Sequence, residues 1–224
     1  MAGRASDEDD PPALASPVCY LHEFADDLTP SAEQRRADVM RWRKGERARL
    51  IAARLALTET EREAATARIA EGLDALVGAV EGKVVSTYWP FRAEPDLRPW
   101  LRAIIARGGR CALPVVVEKG RPLEFRSWRP GDRLVQGVWN IPIPADGAPV
   151  IPDIVIAPVV GFDRACFRLG YGGGYFDRTL AALSPRPRAI GIGCALAEIA
   201  TIYPQPHDVP MAAIVTDRET IAPA

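Results

Sequence analysis

The stretch RLGYGGGYFDR, residues 168–178, sets a cation, four glycines in five positions and a carboxylate in one short run. Glycine loses more backbone freedom on folding than any other residue, so ordering such a run is costly. Bare N–H groups at Gly170, Gly172, Gly173 and Gly174 can converge on an anion, most favourably where a helix begins just after them. Arg168 adds a planar fork for phosphate oxygens. Asp177 is spaced to hold a magnesium ion shared with that phosphate, because magnesium favours one or two carboxylates together with phosphate oxygens. Two better-known phosphate signatures do not fit. The dinucleotide pattern GxGxxG fails at its sixth position, and no Gly-Lys-Ser/Thr follows the glycines. The competing account is a tight turn in which the glycines supply positive φ and Arg168 and Asp177 are surface charges.

The composition narrows the setting. A chain of 224 residues can bury a substantial core in one domain. A net charge of −1 gives no global case for nucleic acid or an anionic membrane. No apolar run approaches the ~20 residues of a membrane span, and the acidic opening MAGRASDEDD is not a secretory signal. Four scattered cysteines without a CxxC pair, and two histidines, argue for free thiols and against a zinc site. A cytoplasmic protein is the expectation.

The elements that must position the glycine run can be read from periodicity. Residues 1–30 are rich in Asp, Pro, Ala and Ser and read as a loose tail, interrupted by VCYLHEF at 18–24, which is expected to dock on its own domain. Residues 31–224 read as a single domain. Pro30-Ser31 opens a helix running to about Leu57. Thr58-x-x-Glu61 is a capping box for a second helix, whose Ile69, Leu73, Leu76, Val77 and Val80 define one face and which Gly82 stops. Strands and helices then alternate. Strands are expected at 83–88, 110–117, 123–128 (an edge), 153–160, 189–194 and 211–216, with helices at 96–107 and 175–183. This order predicts a three-layer α/β/α fold, Rossmann-like, with a central mostly parallel sheet and the two N-terminal helices packed against it. Ligands of such sheets bind beyond the carboxyl ends of the strands, and the glycine run follows one of those ends.

The segment GFDRACFRLGYGGGYFDRTL, 161–180, closely resembles the C-terminal signature of the 5-formyltetrahydrofolate cyclo-ligase family. STYWPFRAEPDL (86–97), VWNIPIP (138–144) and PHDVPMAAIVTD (206–217) are similar, in the right order, to three further segments of that family. The resemblance covers most of the chain after residue 40. It implies an ATP- and magnesium-dependent ligase that converts 5-formyltetrahydrofolate into 5,10-methenyltetrahydrofolate, ADP and phosphate.

Carried over residue by residue, the resemblance implies that Arg168, Leu169, Gly170, Tyr171, Gly172, Gly173, Gly174, Tyr175 and Phe176 hold ATP, with Arg168 and Tyr175 at the chemistry. Asp177 and Asp208 match magnesium carboxylates. Glu94 matches the glutamate on the pterin side of folate, while Trp89 and Trp139 match the folate pocket. Tyr171 and Tyr175 fall where the two substrates meet. Arg43, or Lys44 beside it, and Arg47 match a basic pair that holds ATP, although the helix carries eight basic residues between 35 and 54, so a solvated face is the plain alternative. Trp128 has no counterpart and reads as structural. The chain departs from the family pattern with Arg43 in place of a usual lysine, Cys166-Phe167 before Arg168, and Phe176 in place of a usual tyrosine. A retargeted or non-catalytic relative that binds folate or nucleotide is therefore the second reading. The partners implied are small molecules, with no nucleic acid and no membrane, and a monomer is expected with a dimer left open.

Overall fold

The computed structural model describes residues 31–223, so the tail and its VCYLHEF run lie outside the described residues. Residues 39–224 make one compact unit. Before it, Ser31 accepts a hydrogen bond from the Gln34 N–H at 3.1 Å and donates its own N–H to the Gln34 side chain at 2.7 Å, a reciprocal cap for helix α1, Ala32–Leu55.

Helix α2, Glu59–Val77, begins at the expected box, with Thr58 and Glu61 each capping the other's backbone. It ends earlier than the sequence suggests. Gly78, at φ 67°, closes it, whereas Gly82, at φ 72°, serves the turn into the first strand. Two glycines in the left-handed region stand four residues apart, and composition alone does not say which one ends the helix.

The sheet is formed by β1 (Val84–Ser86), β2 (Arg110–Val115), β3 (Glu124–Ser127), β6 (Ile154–Pro158), β9 (Arg188–Ile192), β10 (Ala213–Val215) and β11 (Thr220–Ile221). Two hairpins complete the strands, β4 (Leu134–Gln136) with β5 (Pro142–Pro144), and β7 (Gly161–Phe162) with β8 (Arg168–Leu169). The main sheet runs β11-β10-β9-β6-β1-β2-β3, parallel except for its antiparallel edges β3 and β11. Helix α3 is Arg98–Ala106 and α4 is Tyr175–Ala182.

Period-two alternation divides the sheet's side chains between two cores. Val85, Cys111, Leu113, Ile154, Ile156, Ile190 and Val215 face α2 and α3. Val84, Ala112, Val155, Ala157, Ala189 and Ile214 face α4 with the β7–β8 hairpin. That is the three-layer arrangement expected. Helix α1 departs from expectation, because it adds no residue to either cluster and its buried side chains are Arg43, Leu50 and Arg54. It runs along the loops at the carboxyl edge of the sheet rather than filling a layer. Trp128 is buried in the first core, edge-on to Trp89, consistent with a structural role. Among the described residues, Cys111, Cys166 and Cys194 are free and buried, and no helix is long and apolar enough to cross a membrane.

Removing the Thr58 cap leaves the Glu61 N–H without its partner. Thr58→Ala is expected to lower unfolding free energy by about 1 kcal/mol, read as a lower urea midpoint with an unchanged slope.

Candidate active site

Strand β6 runs without interruption through the middle of the sheet, and the chain leaves its carboxyl end into the β7–β8 hairpin and the glycine run. Arg168, on β8, is therefore drawn inward. It is 5% exposed and its Nη2 donates to Asp177 Oδ2 at 3.0 Å. Burial pulls the Arg168 guanidinium below its ordinary range, while the charges of Asp177 and Asp208 oppose that fall. Its Nε is buried without a protein partner, and its ring-stacked carbon lies 5.2 Å from the centre of Phe176. These are not surface charges, so the tight-turn account of the glycines fails on its second half.

The glycines have a steric reason as well as a conformational one. A Cβ at Gly170 would stand 2.8 Å from Arg168 Nη1, and one at Gly174 2.9 Å from Arg178 Nη1. Gly172, at φ 98°, would bring a Cβ to 3.5 Å from the Arg47 guanidinium. A side chain at Gly170 or Gly174 would thus have to displace an arginine head, whereas at Gly172 the constraint is the positive φ. Gly174, at φ 63°, starts α4 with no side-chain cap, leaving the first N–H groups of that helix open to an anion.

Helix α1 supplies the remaining cations. Arg47 Nε donates to Gly170 O at 2.7 Å, and burial lowers its guanidinium, with the charge of Arg43 adding to the effect. Arg43 donates to Ile202 O at 2.9 Å, Tyr203 O at 2.8 Å and Asp208 Oδ2 at 2.5 Å. Lys44 is exposed and does not line the cavity, so the alternative of Lys44 for Arg43 is not met by the geometry. Leu169 is fully buried and likewise does not line it, its side chain belonging to the packing below the loop.

Asp177 and Asp208 both line the cavity. Asp177 Oδ1 accepts from the Val209 N–H at 3.2 Å, and Asp208 from the Gln205 N–H at 2.6 Å. Burial pushes the Asp208 carboxyl up, but the hydrogen bonds of Arg43 and Gln205 outweigh it and hold it below the usual range. Among the described residues no group of three His, Cys, Asp or Glu side chains gathers to cage a metal. Two carboxylates lining one cavity are donors of the kind magnesium takes, since it uses few protein ligands and completes its shell with phosphate and water.

Arg43, Arg47, Arg168, the four glycines, Asp177 and Asp208 open onto one cavity of about 420 Å³. Trp89, Phe91, Glu94, Val138 and Trp139 line the same space. Trp139 is 59% exposed at φ 58° and meets Tyr175 edge-on at 5.7 Å, so the loop between β4 and β5 leans on the start of α4. Glu94 is 8% exposed. Its Oε2 accepts from the Phe91 N–H and its Oε1 from the Tyr171 hydroxyl, each at 2.9 Å. Burial raises its carboxyl to about 7, against the lowering effects of the Arg54 charge, the Phe91 N–H and the Tyr171 hydroxyl.

Arg54 was legible only as one of the eight basic residues of α1. It is 5% exposed and donates to Arg92 O at 3.0 Å, Val159 O at 3.4 Å and the Tyr171 hydroxyl at 2.6 Å. The signal that finds it is spacing: Arg43, Arg47, Leu50 and Arg54 recur at i, i+4, i+7 and i+11, one face of a helix.

Comparison with known proteins gives the same picture. The 5-formyltetrahydrofolate cyclo-ligase family model matches residues 39–217. The chain is 30% identical to the 5-formyltetrahydrofolate cyclo-ligase of Escherichia coli strain K12 over 172 residues, 73% of this chain and 93% of that one. It is 29% identical to the protein of the same name from Mycolicibacterium smegmatis over 150 residues, 63% of this chain and 77% of that one. In fold it is similar to the 5,10-methenyltetrahydrofolate synthetases of Aquifex aeolicus (TM-score 0.68, 24% identity, 80% of this chain and 92% of that one) and Mycoplasma pneumoniae (0.64, 22%, 78% and 98%). With a family match across most of the chain and a site assembled from the segments that carried the resemblance, the chain belongs to the 5-formyltetrahydrofolate cyclo-ligase family.

Proposed function

We propose that the protein joins ATP hydrolysis to ring closure of 5-formyltetrahydrofolate, giving 5,10-methenyltetrahydrofolate, ADP and phosphate. The observation that carries this reading is that Glu94 and the Arg168–glycine cradle open onto one cavity and are bonded to each other through Tyr171. A nucleotide site alone has no need of a buried carboxylate beside tryptophans.

In the proposed reaction the formyl oxygen attacks the γ-phosphorus and the bond to the ADP oxygen breaks. The anilino nitrogen then adds to the formyl carbon and gives up its proton, and the carbon–oxygen bond breaks to release phosphate. Phosphorylation turns a poor leaving group into a good one, so the protein needs no nucleophile of its own. Its residues orient two substrates and meet developing charge. Arg168, with Nε still unpartnered, and the open N–H groups of Gly174 and α4 receive phosphate oxygens. Arg47 holds the loop in register by its bond to Gly170 O. Tyr175, against Trp139, closes the boundary between the two substrates and keeps water from the phosphoryl group. Glu94 accepts from the amino group and adjacent ring N–H of the pterin. Asp177 and Asp208 would hold magnesium, which when bound neutralises phosphate charge.

Near-ultraviolet absorbance of the full chain with 5-formyltetrahydrofolate, adding ATP and magnesium last, tests the reading. The methenyl band should grow only after ATP, and Asp177→Asn should slow it by about a hundredfold or more. A flat trace with both ligands still bound would favour the retargeted relative.

The folate carboxylate also has a stability cost. Its folded value of about 7 lies above the ordinary 4.5, so between those values the unfolded chain releases a proton that the folded chain keeps. Stability therefore falls as pH rises through that window. Glu94→Gln, which mimics the neutral form, should leave the urea midpoint nearly unchanged at about pH 4, below the unfolded value. At pH 8 it should raise stability by up to roughly 3 kcal/mol while abolishing folate binding.

A further inference from the structure

Glu94 is approached from several elements, and the groups around it act in series. From its own turn comes the Phe91 N–H, 2.9 Å from Oε2. From the glycine loop comes the Tyr171 hydroxyl, 2.9 Å from Oε1. Arg54, on α1, donates to that hydroxyl at 2.6 Å. A phenol has one proton and acceptor lone pairs. With Arg54 on a lone pair, the proton is left for Glu94 Oε1, in preference to Phe91 O at 3.4 Å. A cationic donor also polarises the phenol and strengthens the bond it gives. Tyr88, just beyond β1, turns its own hydroxyl to Pro95 O at 3.1 Å and so does not compete.

We propose that Arg54 and Tyr171 are positioning residues for the pterin, acting in series to keep Glu94 ionised and its free lone pairs turned to the cavity, so that they set the pH range over which folate binds. The proposal rests on the reading of Glu94 as the pterin acceptor. Neither residue needs to touch substrate for this. Arg54 is fixed by Arg92 O and Val159 O, so its charge is held behind Tyr171 by backbone that ends β6 and follows β1. The titratable groups facing this cluster are Tyr88, Tyr171 and Arg54, with Cys194 near Tyr88 and Arg54. Burial raises the thiol of Cys194 and both phenols, so Glu94 is the member that changes charge near neutrality.

Burial alone would lift Glu94 beyond about 7, and the Tyr171 hydroxyl and the Arg54 charge both hold it down. A protonated Glu94 offers an O–H where the pterin needs an acceptor, so affinity falls as pH drops through the carboxyl's range. Removing the Tyr171 hydroxyl moves that range upward. Affinity is then lost at neutral pH and regained in alkali.

Tyr171→Phe is the decisive variant, because the residue is 41% exposed and its ring contact with Phe91 survives. Two readouts are taken across about pH 5 to 9: the infrared carbonyl band of protonated Glu94 in the free protein, identified by its loss in Glu94→Gln, and the dissociation constant of 5-formyltetrahydrofolate by calorimetry. The expected result is a band midpoint about one unit higher in Tyr171→Phe, folate affinity about fivefold weaker at pH 7, and convergence with the unmodified protein near pH 9. Arg54→Gln should shift the midpoint the same way, and if it fails to fold Tyr171→Phe decides alone. An unmoved midpoint, or an affinity loss equal at every pH, would overturn the proposal. A shifted band in a protein that binds no folate at any pH would instead overturn the substrate reading, and with it the role in folate binding.

Discussion

Guanidinium groups on one face of α1 are bonded to backbone carbonyls that would otherwise have no reason to lie together. Arg43 takes Ile202 O and Tyr203 O, Arg47 takes Gly170 O, and Arg54 takes Arg92 O and Val159 O. These carbonyls belong to loops that leave different strands at the carboxyl edge of the sheet. A hydrogen bond to a charged group contributes about 1.5–3 kcal/mol, and a buried carbonyl that loses one is left with its full desolvation cost. The loops therefore hold their relative positions because α1 does. Leu50, fully buried between Arg47 and Arg54, seats the helix where a Cβ at Gly161 would stand 2.6 Å from its Cδ1. A small residue at the start of β7 is thus a condition for the arginine face to reach the site.

Arginines, those of α1 together with Arg168, also resolve an electrostatic problem on both sides of the cavity. Asp177 and Asp208, close enough to act together on Arg168, are each met by an arginine. Glu94 is treated differently. Its nearest cation stands one hydroxyl away, and burial raises its carboxyl to about 7 where Arg43 holds Asp208 below the usual range. A directly paired carboxylate is kept charged by its cation. One whose cation acts through a phenol keeps lone pairs for a ligand and remains sensitive to what covers it. Under the proposed function, the distinction separates the carboxylates that would meet magnesium from the one that would meet the pterin.

Much of this was open to reading in the chain. The three layers followed from alternating elements, and the capping box at Thr58 from a local rule with a local cause. What escaped had non-local causes. The end of α2 fell at Gly78 and not Gly82, a choice between two glycines of positive φ that local composition does not make. The β4–β5 and β7–β8 hairpins are strands of two or three residues, too short to display alternation. Glu94 was found through family resemblance rather than from its neighbours, since its bond to Tyr171 spans 77 residues. Arg54 was hidden by a surplus of arginines, most of them exposed. Within that surplus the spacing of 43, 47, 50 and 54 was informative, but an apolar face is a stronger habit of reading than a cationic one.

The glycine run is better understood with those arginines in view. A phosphate cradle needs exposed N–H groups, but it does not by itself require glycine on both sides of Tyr171. Arg168 explains Gly170 from within the hairpin, Arg47 bears on Gly172 from α1, and Arg178 explains Gly174 from α4. Three of the four glycines thus stand against guanidinium groups from different elements, and the fourth, Gly173, stands against the Tyr175 ring. The interruption of the run by Tyr171 then has a meaning of its own. At that position the phenol reaches both Arg54 and Glu94, so a large side chain is needed. One loop thereby carries a bare edge for anions and a single aromatic arm that ends on the carboxylate of the neighbouring pocket.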